Sequence, residues 1–201
     1  LSLGVSFSHS KLLQFSCNSC HINKSHKLPF SQSSVSSSSP LKIIYSDVWT
    51  SPIHSLDGYK YYVIFVDHYT KYIWFYPLFR KSDVHATFVT FKSLVEKFFH
   101  RPIITLYSDN GGEYIYSGLS SFFNSHGIIH QTSCTDTSQQ NGVAERKNRH
   151  LLDVARSLVF SARAPKSYWG KAVLTAAYLI NQLPTQVLHN RSPTSVLVNP
   201  S

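Results

Sequence analysis

The sequence predicts a mixed α/β domain in which helices flank one sheet with three leading antiparallel strands. Two observations point there. Three successive segments rich in β-branched and aromatic residues are separated by turn-forming stretches, and the chain after them alternates between helical and strand periods. The three segments are Leu41 to Trp49, Tyr59 to Val66 and Tyr72 to Phe79, with Asp57-Gly58 and the polar run Asp67 to Lys71 between them. From Asp83, apolar residues recur at Val84, Phe88, Phe91, Val95 and Phe98, one face of a helix that Asp83 caps and Pro102 follows. Pro102 to Tyr107 reads as a buried strand ending in the turn Ser108-Asp109-Asn110-Gly111-Gly112. Leu119 to His126 reads as a short helix stopped by Gly127, and Ile128 to Thr132 as another strand. Val143 to Phe160 is expected to be helical, with Ala144, Leu151, Val154 and Leu158 towards the core and Glu145, Asn148, Arg149 and Arg156 on the other face. A last helix, Ser167 to Leu183, ends at Pro184.

This order makes residues 41–184 the main domain and leaves 185–201 as an extended tail. Residues 31–40, seven of them Ser, read as a flexible linker to a small N-terminal piece, residues 1–30, that holds Cys17 and Cys20. A chain of 201 residues with 42% hydrophobic and 14% aromatic content has enough apolar material for one core and too little length for two. No apolar run approaches the roughly 18 residues of a membrane span, and the start does not resemble a signal peptide. Three cysteines, an odd number, do not form a disulfide framework and suggest an intracellular setting. The absence of Met and the start at Leu1 suggest a piece of a longer reading frame.

Only 14% of residues are charged, yet 19 Lys and Arg face 10 Asp and Glu, a net charge of +9. An excess of that sign favours phosphate-rich partners, nucleic acid first. It is densest from 145 to 171, where Arg146, Lys147, Arg149, Arg156, Arg163, Lys166 and Lys171 face only Glu145 and Asp153. Arg149 follows Glu145 by one helical turn and could hold a phosphate beside it.

Three carboxylates occupy places poorly suited to mere surface charge. Asp47 lies inside the first strand among residues that favour burial, Asp109 ends a buried strand at a Gly-rich turn, and Glu145 opens a helix. Each alone has an ordinary explanation as bulge, turn or helix-start residue. Should they converge, two carboxylates about 4 Å apart repel by about 4 kcal/mol at an effective dielectric near 20, and a hard divalent cation would offset that. Oxygen-only ligands select magnesium or manganese, and three carboxylates suffice for two such ions, the arrangement used for in-line phosphoryl transfer.

From Pro40 to about Pro200 the chain resembles the integrase of copia-type LTR retrotransposons. The segments that carry the resemblance are Tyr45-Ser46-Asp47-Val48-Trp49, Ser108-Asp109-Asn110-Gly111-Gly112-Glu113-Tyr114, Gln139-Gln140-Asn141-Gly142-Val143-Ala144-Glu145-Arg146-Lys147-Asn148-Arg149 and Tyr168-Trp169-Gly170-Lys171-Ala172-Val173. Thirty-five residues stand between Asp109 and Glu145, the retroviral-type spacing. The resemblance implies a ribonuclease H-like fold and a metal-dependent polynucleotidyl transferase and endonuclease. It would trim element DNA ends and join the exposed 3′-hydroxyls to target DNA, with Asp47, Asp109 and Glu145 as ligands of two Mg2+ or Mn2+ ions. It implies that Gln140, Asn141, Asn148 and Arg149 lie nearest the DNA, with Arg146, Lys147 and Arg156 on the same basic helix. Gly142 would let the loop before Glu145 move. The expected partners are double-stranded DNA and further copies of the chain, with no membrane, and the expected place of action is the nucleus after passage in a cytoplasmic particle.

Cys17-Asn18-Ser19-Cys20 resembles the end of the family's His-His-Cys-Cys zinc module. A structural zinc takes four ligands, of which this stretch offers two, with His9, His21 or His26 as substitutes for those the family places earlier. Further departures are His68 for an acid, Tyr107 for an Arg, Thr135 and Ser138 for prolines, and Lys171 for an acid. None removes a carboxylate of the triad. Two functional readings follow, a DNA strand transferase or an inactive copy that folds and binds DNA without joining strands; a nuclease of the same fold is a lesser third.

Overall fold

The computed structural model describes residues 35–115, 117–132 and 141–200. The chain divides into two units, residues 1–35 and 36–201. The zinc-module stretch with Cys17 and Cys20, and residues 31–34 of the expected linker, lie outside the described residues. Residues 36–40 belong to the second unit, where Pro40 is buried and Lys42 Nζ donates to Ser38 Oγ at 2.9 Å.

Five strands form one mixed sheet: β1 (Ile43–Thr50), β2 (Tyr61–Asp67), β3 (Ile73–Leu78), β4 (Thr105–Ser108) and β5 (Ile129–Thr132), in the order β3-β2-β1-β4-β5. The first three are an antiparallel meander, as short turns between them require, while β4 joins β1 and β5 joins β4 in parallel. Parallel pairing needs crossovers. Helix α1 (Val84–Phe99) supplies one, and α2 (Gly112–Ile115) with α3 (Ser117–Ser125) supplies the other. Two long helices follow, α4 (Gly142–Ser161) and α5 (Trp169–Gln182), and a short α6 (Pro193–Val198). Among the described residues no helix is long and apolar enough to cross a membrane.

Period-2 alternation divides the side chains of the sheet between two cores. Val63 and Phe65 of β2 pack with Phe88, Phe91 and Val95 of α1 and with Leu119 and Phe123 of α3. Tyr62, Ile64 and Val66 face the other way, onto Ala144, Leu151 and Ala155 of α4 and Val173, Ala176 and Ile180 of α5. The sheet is thus covered on both faces, and β2 is buried from Tyr62 to Asp67. Pro77 is tolerated in β3 because that strand is an edge.

Two polar anchors fix the antiparallel half. The buried carboxylate of Asp67 accepts from Leu41 N at 2.9 Å and Thr70 N at 2.7 Å, tying the approach to β1 to the β2–β3 turn. It holds Leu41 in the left-handed conformation, φ 67°, that side chains with a Cβ avoid. Asn181 of α5 clamps the edge strand from outside, accepting from Ile73 N at 2.9 Å and donating to Ile73 O at 2.8 Å.

Three expectations change. The last apolar residue of α1 to pack on the core is Phe99, whereas Phe98 is 75% exposed. The chain reverses at left-handed His100 and returns along Glu96, whose Oε1 accepts from Ile103 N, so it covers the flank bearing Phe99. The turn expected at 108–112 continues directly into α2. Residues 185–200, expected as an extended tail, fold back through a 3-10 turn at Gln186–Leu188 and α6, whose cap Ser192 accepts from Ser195 N. Leu188, Val196 and Leu197 are buried there, and Thr194 Oγ1 donates to Asn181 O; these apolar positions are too few and too spaced to show a period in sequence.

Asp67→Ala leaves two buried N–H groups without an acceptor and should lower unfolding free energy by about 2–5 kcal/mol in urea titration. His68 is half-buried against the Tyr45 ring, with no partner for Nδ1 among the described residues, and burial with Lys71 nearby lowers its pKa from 6.5 to about 4. The unfolded chain therefore binds a proton that the folded chain refuses between those values, so this contribution to stability is complete above pH 6.5 and is lost as pH falls towards 4. Asp67, raised by burial, acts in the opposite direction, so the His68 part is read by difference. Denaturation at pH 7 and pH 5 should show a smaller acid loss in His68→Gln than in the parent.

Candidate active site

Asp47 and Asp109 are brought together by the parallel pairing of β1 with β4. Tyr45 is in register with Tyr107, and their rings stack at 4.9 Å. Asp47 and Asp109 each stand two residues further on, so both belong to the sheet face covered by α4 and α5. Asp109 lies just past β4, where its Oδ1 accepts from Gly111 N at 3.2 Å.

Helix α4 carries the third carboxylate and is seated by two amides. Asn141, at its N-cap, donates from Nδ2 to Ser46 O at 3.1 Å, and Asn148 donates from Nδ2 to Asp47 Oδ2 at 2.7 Å. The other end of the Asn148 amide accepts from the Tyr62 hydroxyl. Asn148 is thus buried in the stripe Ala144, Asn148, Leu151, Ala155, a correction to its expected place on the outer face. A polar side chain in the sequence suggested solvent, but here both its hydrogen-bonding ends have buried partners. Val154 and Leu158, expected in the core, are half-buried at its margin.

Glu145 is exposed on the first turn of α4 and makes no hydrogen bond or ion pair among the described residues. Burial pushes the Asp47 carboxyl up from 3.8 to about 6; the Asn148 amide opposes this, while the negative charges of Asp109 and Glu145 add to it. Charges from two segments distant in sequence therefore act on one half-buried carboxylate. The described residues hold no three His, Cys, Asp or Glu side chains close enough to grip one ion between them. The donor set nevertheless suits a hard cation, being oxygen only and carrying negative charge that no ion pair among the described residues offsets.

A fourth carboxylate belongs to this neighbourhood and was not singled out from sequence. A Cβ placed on Gly111 would lie 2.9 Å from Glu113 Oε2 and 3.0 Å from Asp109 Oδ1, so the glycine is what lets these groups approach. Glu113 pairs with Lys81 at 3.6 Å. Its position immediately after the double glycine Gly111-Gly112 was the available signal, obscured because the segment reads as a turn.

The basic residues divide. Arg146 and Arg149 are exposed and unpaired among the described residues. Lys147 is half-buried, and burial with Lys71 nearby lowers its pKa. Arg156 pairs with Asp153 at 3.1 Å on the exposed side. Asn141 is buried, its Oδ1 lacking a partner among the described residues. Gln140, Cys134 and the loop ahead of Asn141 lie outside the described residues. Lys171, the departure from an acid, pairs with Asp57 at 2.9 Å and joins the β1–β2 loop to the start of α5.

Residues 37–138 match the model of the integrase core domain family. Over 192 residues, 96% of the chain, the sequence is 54% identical to the retrovirus-related Pol polyprotein from transposon RE2 of Arabidopsis thaliana, and spans 13% of that protein's length. The simian T-cell lymphotropic virus intasome, solved with the PP2A regulatory subunit B56 gamma, contains a chain that superposes with a TM-score of 0.67 at 18% identity, covering 98% of this chain and 68% of that one. The HTLV-2 integrase catalytic core domain in complex with magnesium, trimeric form, gives 0.57 at 17% identity, covering 79% and 97%. The fold is therefore the ribonuclease H-like one of retroviral integrase cores, as the sequence resemblance implied. With the core-domain match added to that kinship, the chain belongs to the integrase core domain family of retrotransposon polyproteins.

Proposed function

We propose that this chain carries the strand-transfer centre of a copia-type integrase. It directs water onto a phosphodiester near each end of element DNA, releasing a short end piece and a 3′-hydroxyl. It then directs that hydroxyl onto a phosphodiester of target DNA, forming one bond as another breaks. What supports the proposal is that the negative charges of Asp109, just past β4, and Glu145, on α4, both act on Asp47 of β1, while no Lys or Arg among the described residues forms an ion pair with any of the three.

Asp47, Asp109 and Glu145 would hold the ions, and the magnesium complex of the HTLV-2 core domain supports this choice of metal. When bound, two Mg2+ or Mn2+ ions would supply Lewis-acid stabilisation to the attacking and leaving oxygens. Asn148 orients the Asp47 carboxylate by donating to Oδ2, and Tyr62 fixes Asn148 in turn. Asn141 holds the start of α4 on Ser46, which fixes the helical turn that carries Glu145. Arg146 and Arg149, exposed beside Glu145, meet DNA phosphates and orient the scissile bond. The partner is double-stranded DNA, worked on by a homo-oligomer in the nucleus, and the viral intasome and trimeric core domain support the oligomer.

Strand joining on a branched DNA substrate with manganese tests the proposal. The parent chain should join strands, and Glu145→Gln, folded by circular dichroism, should lose at least about 100-fold, as removal of a direct ligand exceeds the 10–100-fold typical of outer-shell partners. A folded parent that binds DNA and joins nothing would overturn the enzymatic reading in favour of an inactive copy. Duplex affinity should fall with salt with a log-log slope of about −0.9 per phosphate neutralised, and Arg149→Ala should make that slope shallower by about 1. An affinity independent of salt would rule out the phosphate contacts.

A further inference from the structure

Alternation along β1 and β4 gives each site carboxylate a neighbour on the opposite face of the sheet. Ser46 precedes Asp47 and Ser108 precedes Asp109, and both serines point into the core beneath α1, α2 and α3, 0% and 1% exposed. Two polar side chains meet them there. The Tyr114 hydroxyl, on α2 and 0% exposed, meets Ser46 Oγ in a hydrogen bond, and His130 Nε2, on β5, lies 2.9 Å from Ser108 Oγ.

The two rings are neighbours, with centroids 6.2 Å apart, and His130 also packs on Phe123 at 4.8 Å. Contacts therefore run from β1 through α2 and β5 back to β4, bracing from below the strand that carries Asp47 and the strand that leads into Asp109. Ser108 Oγ also donates to Asp109 O at 2.9 Å. A hydroxyl has one proton, so with that proton on Asp109 O the bond to His130 must be donated by Nε2–H. The imidazole then holds Ser108, and Ser108 holds the backbone of Asp109.

Apolar packing alone would keep the strands together, since it is non-directional and tolerant of small slips. Buried hydrogen bonds are directional and costly to break, so they fix position more narrowly than packing. We propose that Tyr114 and His130 are positioning residues that set the separation of the Asp47 and Asp109 carboxylates, and thereby the affinity of the site for its divalent ions, from the opposite face of the sheet. This rests on the reading of the carboxylates as ion ligands. Partners one shell removed from a metal are typically worth 10–100-fold in affinity, and this brace acts through the same strands.

The test is Mn2+ titration of the full chain without DNA, comparing the parent with Asp47→Asn, Tyr114→Phe, His130→Phe and His130→Gln, each checked for folding by near-ultraviolet circular dichroism. Both Phe variants keep an aromatic ring in the core and remove its hydrogen-bonding atoms, Tyr114→Phe by one atom and His130→Phe with a somewhat larger ring. They are expected to weaken Mn2+ binding about 10-fold, while His130→Gln, which still offers Ser108 a donor, stays within about threefold of the parent. Should His130→Phe fail to fold, Ser108→Ala deletes the same hydrogen bond by one atom and carries the same expected loss. Parent binding that Asp47→Asn abolishes, but that the folded Phe or Ala variants retain in full, overturns the brace alone. A parent that binds no Mn2+ through Asp47 overturns the reading of the carboxylates and the brace with it.

Discussion

Asp47 carries a negative charge into the middle of a central strand, and the surrounding architecture is arranged around what that requires. A carboxylate there loses much of its hydration, and two further carboxylates nearby add to the cost of keeping it ionised. The protein supplies one direct compensation, the Asn148 amide, held from its other end by Tyr62 of the neighbouring strand. Because Asn148 belongs to α4, the bond that supports Asp47 also sets where that helix crosses the sheet. The placement of Glu145, three residues earlier on the same helix, follows from this seat. A single amide thus couples the electrostatics of one strand to the placement of a helix about a hundred residues later in the chain.

The sheet gives the site its stiffness because both of its faces are covered. Strands buried on two sides can place a functional group on one face and an anchoring group on the other, one residue apart. Here the pattern is Ser-Asp twice, Ser46-Asp47 and Ser108-Asp109, and the same alternation that exposes the acids to α4 sends the serines into the opposite core. The antiparallel half has its own anchors in Asp67 and Asn181, which satisfy backbone groups at the β2–β3 turn and along the edge strand. None of these polar groups is needed to make the domain hydrophobic enough to fold. They make it fold in one register.

Charge is distributed with the same economy. Lys171 sits opposite Asp57, so a residue that departs from the related pattern has a partner on the facing loop. Around α4, by contrast, Arg146, Lys147 and Arg149 form no ion pair among the described residues, and Lys71 stands near enough to Lys147 to disfavour its charge. Crowding of like charge that the protein does not relieve internally suits a surface whose counter-charge arrives from outside.

Local sequence was sufficient for what depends on local physics. The three leading strands, α1, α3, α4 and α5 follow from the alternation and periodicity of apolar residues; Asp47 stands out as a charge inside an apolar strand, and Asp109 and Glu145 by the motifs in which they stand at the end of a strand and the start of a helix. Tertiary structure alone decided which of two adjacent phenylalanines closes α1, since that depends on the flank along which the chain returns. It alone turned Asn148 inward, because an amide satisfied at both ends is as buriable as an alanine and nothing in a one-dimensional pattern reveals the partners. The fold-back of residues 185–200 depends on a surface that exists only once α5 is in place. Glu113 joins Asp109 only because Gly111 lacks a side chain at the point where they meet. Sequence determines which groups must be buried and with what period; the pairing of groups far apart in the chain is set by the packed whole, where each buried polar atom must find its partner.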